Sequence, residues 1–305
     1  MRIKKICFIG YGSHVEKTLI PSLNLNNKNI KIVTKKKLNN FQTFSSVQIA
    51  LRNLTKDYIF FNSTPPTFHY SLSKLILSAG FNLIVEKPMC LNSWQVEKLY
   101  DLAKKNNVFI FENMMYFYSQ QFKLIKKVIN KKNIDSIDIK FAIPALNLNS
   151  FRTKLNLKSS ILYDIGCYPF SLLAYFNFDF KNFKIRYFVK KKRLIFFEVY
   201  FISKKIKFKI TCAVYQKYEN FLKVNFKNFI SYKFNYVFYG KKVKKKNYYY
   251  KFGKKIKNYT INEKNIFQNI FYFTKKKFLN QSNTQHFVVK NYLNNLNKIE
   301  KVIKL

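Results

Sequence analysis

Three short stretches of the 305-residue chain hold residue types that can do chemistry together. In "LYDIGCYPFSLL" (162–173), Asp164 and Tyr168 stand four positions apart. Positions i and i+4 share a helix face, so a carboxylate and a phenol there can work as one acid–base pair. The alternative is a helix-start acid that suits the dipole beside an ordinary core tyrosine. In "VEKPM" (85–89), Lys87 precedes a proline, which forces an extended or turned chain and holds the lysine in place. In "FIGYGSH", Gly10-x-Gly12 leaves bare backbone where a dinucleotide diphosphate can approach and rest on a helix N-terminus. A phenol with an ordinary pKa of about 10 needs help near neutral pH. A nearby ammonium supplies it by favouring phenolate. Lys87 can do that or hydrogen-bond a substrate oxygen itself, and Asp164 can orient a substrate or keep Lys87 charged.

These groups act only if the chain places them at one sheet edge. Short apolar runs alternate with amphipathic stretches through the first 115 residues or so: "KICFIG", "NIKIVT", "DYIFFN", "NLIVEKP" and "VFIFEN" read as strands. "SHVEKTLIPSLNL", "SSVQIALRNL" (capped by Ser45 or Ser46), "FHYSLSKLILSAG" (closed by Gly80) and "NSWQVEKLYDLAKKNN" (capped by Asn92 or Ser93) read as helices. That alternation predicts a doubly wound parallel sheet. The glycine turn follows the first strand, and "STPPTFHY" (63–70) and "VEKPM" follow later ones, so all lie at the carboxyl edge, where ligands bind. The predicted dinucleotide contacts are Gly10, Gly12, Ser13, His14, Thr34, Lys35, Thr64, Pro65, His69, Glu86 and Lys87. Val15 occupies the third position of the glycine fingerprint. The second strand ends "IVTKKK" without an acid, which favours NADP over NAD, against a lysine-rich background.

The rhythm changes after about residue 118. "QFKLIKKVIN" reads as a helix, "IDSIDIKFAIP" as a strand, and 159–177 as the helix carrying Asp164 and Tyr168. From about 183 to 261 alternating strands predict a largely antiparallel or mixed, open-faced sheet, with "KKVKKKNYYYKFGKK" as a solvated hairpin. Helices are expected around 264–278 and 285–302. The expected organisation is α/β: a nucleotide-binding domain over 1–117 and an α+β substrate and assembly domain over 118–305.

Composition sets limits. The formal charge is +43. Of the basic residues only Arg2, Arg52, Arg152, Arg186 and Arg193 are arginine, and Lys, Asn, Ile, Phe and Tyr, all with A/T-rich codons, are abundant. Mutational bias explains this without a polyanion partner, because the lysines are scattered rather than clustered. Cys7, Cys90, Cys167 and Cys212 form no C-x-x-C, which predicts neither disulfides nor a zinc ribbon and fits a reducing, cytoplasmic setting. His14, His69 and His286 share no metal-ligand spacing, so no metal is expected. The apolar "ICFIG" is too short for a signal peptide, and nothing reads as a membrane span.

"GYGSHVEKTLIP", "TPPTFHY", "AGFNLIVEKPM", "FENMMYFYS" and "DIGCYP", in this order over roughly residues 6 to 170, resemble the glucose–fructose oxidoreductase/inositol dehydrogenase family of nicotinamide-dependent sugar oxidoreductases. The resemblance implies a Rossmann-type domain, Lys87 as the family's lysine, and Asp164 as the aspartate of its D-x-x-x-H/Y helix. It places Tyr168 where many members carry histidine and a subset tyrosine. Ser159 and Ser160 stand in place of a common glycine pair, and Phe117 in place of a common arginine. The implied activity is NAD(P)-dependent hydride transfer at a carbinol or carbonyl carbon of a sugar or nucleotide sugar. A dihydrodiol- or imine-type reductase, a basic nucleic-acid-binding protein and a relative that has lost turnover are the alternatives. Aromatic and aliphatic residues alternating in "LIFFEVYFI" and "KIKFKITCAVY" predict an uncovered sheet face and a homodimer or homotetramer.

Overall fold

The computed structural model describes residues 3–144, 160–239, 244–263, 265–273 and 275–303, which leaves Ser159 outside the described residues. The chain forms two compact units, Met1–Met114 with Phe267–Asn294, and Met115–Ile266 with Asn295–Leu305.

In the first unit, β1 (Lys5–Ile9), β2 (Ile30–Val33), β3 (Gln42–Phe44), β4 (Tyr58–Asn62), β5 (Asn82–Val85) and β6 (Ile110–Glu112) form a parallel sheet in the order β3-β2-β1-β4-β5-β6. The strand order reverses between β1 and β4, so a crevice opens beyond their carboxyl ends. Ile6, Cys7 and Phe8 are fully buried, as a strand covered on both faces requires. Ser46 is the cap that forms for Val47–Asn53, its Oγ accepting the Ile49 N–H at 3.3 Å. Gly80, at φ +73°, closes Pro66–Ser78.

The first helix is shorter than its sequence suggests. A wide π turn over Val15–Leu19 is followed by only Ile20–Ser22, and Leu23 is extended. Pro21 has no N–H to continue the ladder. The three residues of β3 went unpredicted because so short a strand shows no period. At the other end, the two expected helices are Ile266–Phe271 and Lys275–Val302, so the break between them comes earlier than expected and the second helix runs through 280. Its Phe278 stacks on Phe109 with ring centroids 4.4 Å apart, within the first unit.

The second unit carries β7 (Ile134–Ile143), β8 (Lys184–Lys190), β9 (Arg193–Ser203), β10 (Ile206–Val214), β11 (Glu219–Phe226), β12 (Ile230–Asn235), β13 (Lys244–Lys251) and β14 (Lys254–Asn262). Their order is β14-β13-β12-β11-β7-β10-β9-β8. The β7–β10 pair is parallel and the other pairs are antiparallel, a mixed sheet.

One face of this sheet buries Ile137, Ile139, Phe197, Val199, Ile210 and Leu222. On the other face β9 and β10 present Glu198, Tyr200, Ile202, Lys207, Lys209 and Thr211 in register. Where an apolar face is expected, β9 and β10 thus carry a mostly polar and charged belt in which Glu198 and Thr211 are buried, while Ile202 and, on β8, Phe188 are exposed at 65% and 59%. The lysine-rich tract does form a hairpin, β13–β14, but Lys245 within it is fully buried. Its Nζ donates to Gln121 Oε1 at 3.3 Å, and burial lowers its pKa to about 8.

Candidate active site

β1 ends at Ile9, and the chain turns through Gly10 to Gly12 before the helix begins at Ser13. Gly10 sits at φ +88°, and its N–H donates to Val33 O at 3.0 Å. A Cβ there would have ordinary contacts of 3.5–3.6 Å with Ser63 and Thr64, so the backbone angle rather than space favours glycine. A Cβ on Gly12 would meet nothing within 4 Å. Exposed, bare backbone at the mouth of a helix is what close approach of a diphosphate needs, so this turn fits a dinucleotide. Val15, at the third fingerprint position, is buried in the π turn. At the end of β2, Thr34 spends its hydroxyl on the Lys36 N–H at 3.2 Å, and Lys35 is exposed.

The turn after β4 is organised by a buried carboxamide. Asn62 Oδ1 accepts the Thr64 hydroxyl at 2.7 Å, and Asn62 Nδ2 donates to His69 O at 3.3 Å. Ser63 Oγ donates to Ile9 O at 2.8 Å, which ties the turns after β1 and β4 together. Pro65 and Pro66 start the next helix. His69, on that helix, is 1% exposed. Its Nδ1 lies 2.8 Å from Pro88 O and its Nε2 2.7 Å from Thr64 O. Both ring nitrogens thus face backbone carbonyls rather than the crevice, which corrects the expectation of a cofactor contact.

Lys87 is half-buried, in the turn after β5. Its N–H donates to Glu86 Oε2 at 3.3 Å. Glu86 Oε1 accepts from Asn113 Nδ2 at 2.6 Å and lies 3.4 Å from His14 Nε2. Burial pushes the Glu86 pKa up, but His14, Asn113 and Lys87 outweigh it and hold the group below its usual range, so Glu86 stays charged. Two residues of this cluster were not anticipated, Glu112 and Asn113. Their signal was present in "VFIFEN", where a carboxylate and an amide end an apolar strand. Glu112 is 1% exposed and accepts the Met89 N–H at 2.7 Å and the Tyr292 hydroxyl. Burial raises its pKa to about 7.

In the second unit, Asp164 and Tyr168 do not share one helix. Ile161–Asp164, capped by Ser160, stops at Ile165–Gly166, and Cys167–Tyr175 begins anew. The interruption lies where a Cβ on Gly166 would fall 2.3 Å from Leu162 O and 3.2 Å from Phe197 Cζ. Asp164 is half-buried at the end of the first segment. Tyr168 is 2% exposed, and its hydroxyl lies 3.9 Å from Met115 Sδ. Its ring centroid lies 5.4 Å from that of Phe141 and 5.8 Å from that of Phe238. Its carbonyl accepts from Ser171 Oγ at 2.8 Å. Phe117 stacks on Tyr175 at 5.1 Å, part of an aromatic cluster with Tyr116 and Phe122. The turns bearing Gly10, Gly12, Ser13, His14, Thr64, Pro65, Glu86 and Lys87 thus follow β1, β4 and β5 of the first unit, while Asp164 and Tyr168 belong to the second.

Residues 4–114 match the model of an oxidoreductase family with an NAD-binding Rossmann fold. This agrees with the motifs, since the family's Rossmann fold runs from β1 to just past β6. The dTDP-3,4-didehydro-2,6-dideoxy-alpha-D-glucose 3-reductase of Streptomyces violaceoruber is 23% identical over 113 residues, 36% of this chain and 33% of the relative. The trans-1,2-dihydrobenzene-1,2-diol dehydrogenase of Xenopus laevis is 30% identical over 115 residues, 37% of this chain and 34% of the relative. The matched stretch thus spans about a third of the length of these curated relatives. A 3-ketoreductase from Actinomadura kijaniata, solved with NADP and TDP-benzene, superposes with a TM-score of 0.84 at 14% identity, covering 97% of both chains. The aldose-aldose oxidoreductase from Caulobacter crescentus gives 0.79 at 13% identity over 99% of this chain and 96% of the other. At these identities the likeness shows the fold of both units.

Proposed function

We propose that the chain is an NADP-dependent oxidoreductase that moves a hydride between the nicotinamide and a carbinol or carbonyl carbon of a sugar or nucleotide sugar. The observation that carries this reading is the Gly10–Gly12 turn at the β1/β4 switch point, with open space above Gly12. When bound, the dinucleotide supplies the hydride. The backbone from Gly12 to His14 would hold its diphosphate, and Thr34 and Lys35 would flank the ribose. The exposed Lys35, Lys36 and Lys37 suit a 2′-phosphate. NADP in the Actinomadura 3-ketoreductase supports the same preference.

The chain's own residues handle the proton. Tyr168 gives or takes it at the substrate oxygen. Lys87 favours the phenolate or hydrogen-bonds that oxygen, and Asp164 orients the substrate. This gives the first unit the role of cofactor holder and the second that of substrate holder. The second unit's sheet is the proposed surface for a homodimer or homotetramer.

Fluorescence titration with NADPH and NADH tests the cofactor. Saturable binding with NADPH preferred supports the reading, and binding of neither overturns it. NADPH consumption with a panel of nucleoside-diphosphate ketosugars and free aldoses tests the substrate class. Tyr168→Phe should cut turnover about 100-fold or more while the protein still binds NADPH.

A further inference from the structure

We propose that His69 is a positioning residue for Lys87: its imidazole is a buried strut between the turn after β4 and the turn that carries the lysine. This rests on the reading of Lys87 given above. The helix Pro66–Ser78 carries the ring, and the ring spans two backbone carbonyls, Thr64 O at 2.7 Å and Pro88 O at 2.8 Å. Thr64 lies two residues past β4, and Pro88 directly follows Lys87. An Nδ1–H tautomer is enough to hold Pro88, and a second proton adds the bond to Thr64. Burial pulls the ring's pKa down while the two carbonyls pull it up, and burial prevails.

The far side of the same turn is held too. The Met89 N–H donates to Glu112 Oε1 at 2.7 Å. Gln285 fixes Glu112 in turn, accepting its N–H at 2.7 Å and donating to its carbonyl at 2.8 Å. The one peptide that joins Pro88 to Met89 is therefore pinned at both ends, its carbonyl by His69 and its N–H by Glu112. A side chain as long as lysine cannot be aimed from a loose turn, so holding the Pro88–Met89 peptide by both its carbonyl and its N–H is how the fold orients the Lys87 ammonium. The imidazole does this without reaching the crevice, which accounts for its burial.

The test uses the full chain, with His69→Gln and His69→Asn beside the parent. Hydrogen exchange is read at the Lys87 and Met89 amides, and NADPH affinity by fluorescence. If His69 is a strut, both variants speed exchange at these two amides about tenfold or more. Strands β1 and β4 then keep their protection, and NADPH affinity stays within about threefold. If His69 touches the cofactor, NADPH affinity falls with exchange at 87 and 89 unchanged, which overturns the proposal. Should neither variant fold, the ring nitrogen signals of the parent decide. Saturating NADPH leaves a strut's signals in place, and a shift like that of a contact residue refutes it. A parent that binds no NADPH defeats the functional reading instead, and the exchange result then still reports on the strut.

Discussion

Glu112 and Glu198 are both buried carboxylates, one in each unit, at 1% and 4% exposure, and the fold treats them in opposite ways. Glu198 lies on the polar face of the second sheet, where Arg186, Lys209, Tyr200 and Thr211 all donate to it. Burial alone would push its pKa up, but these partners bring it down to about 2. Glu112 receives a backbone N–H and a phenol, and burial prevails, taking it up to about 7. Lys87 and Glu86 act on it from a distance in opposite senses. Burial thus decides the state of a carboxylate only where charged donors do not outweigh it: they do at Glu198 and do not at Glu112. The first unit places a carboxylate that titrates near neutrality beside the Lys87 turn, and the second holds a permanent anion that ties its strands together.

The glycines divide along the same line. Gly166 is glycine because Leu162 O crowds it, whereas nothing within 4 Å accounts for Gly12 being glycine. The contrast is sharpest in Gly166→Ala, which forces a backbone clash and should cost about 3 kcal/mol or more in urea unfolding. A loss under about 1 kcal/mol would show that the break at 165–166 is incidental. Glu198→Ala comes next. It leaves Arg186 and Lys209 unmatched, and since both reach solvent the expected loss is about 2 kcal/mol.

The pH dependence should split the two glutamates. Glu198 has a depressed folded pKa, so its contribution is complete above the ordinary carboxylate value of about 4.3 and fades as pH falls toward 2. Glu112 has a raised one, so its contribution is complete below that ordinary value and fades as pH rises through 7. Glu112→Gln, which keeps an acceptor for Met89, should therefore gain about 2–3 kcal/mol on the parent between about pH 5 and about pH 8. Urea melts of parent and variant at the two pH values check this; a variant equally destabilised at both would mean the carboxylate is charged throughout. The smallest effect concerns assembly. Repulsion at +43 should weaken any dimer at low salt, so light scattering should show more of it at moderate salt. A monomer under both conditions would remove the second sheet as an interface.

What the sequence made legible was whatever the backbone demands of a residue type. Gly10 at positive φ, Ser46 as a cap, Gly80 as a helix stop and Pro88 behind Lys87 leave the same mark in any fold, and the parallel strands leave continuous apolar runs. What stayed hidden depends on distant neighbours. Gly166 answers to Phe197 as well as to its own turn, Glu112 answers to Gln285 and Tyr292, and Lys245 answers to Gln121. The same holds for the return of Phe267–Asn294 to the first unit, which chain order does not encode. On the sheet face, the aromatic residues of "FEVYF" suggest an apolar surface, while Glu198 and its cross-strand partners decide its character. His69 stands out in its motif as a candidate cofactor contact, whereas its carbonyl partners 64 and 88 are visible only in the fold.

The central claim is that the bare backbone at Gly12 receives a dinucleotide diphosphate. NADPH titration of the parent and of Gly12→Val, with thermal unfolding of both in parallel, tests it most directly. The variant's side chain enters open space, so it should unfold within a few degrees of the parent and lose NADPH affinity about 100-fold or more. A folded Gly12→Val protein that binds NADPH as well as the parent does would contradict the account.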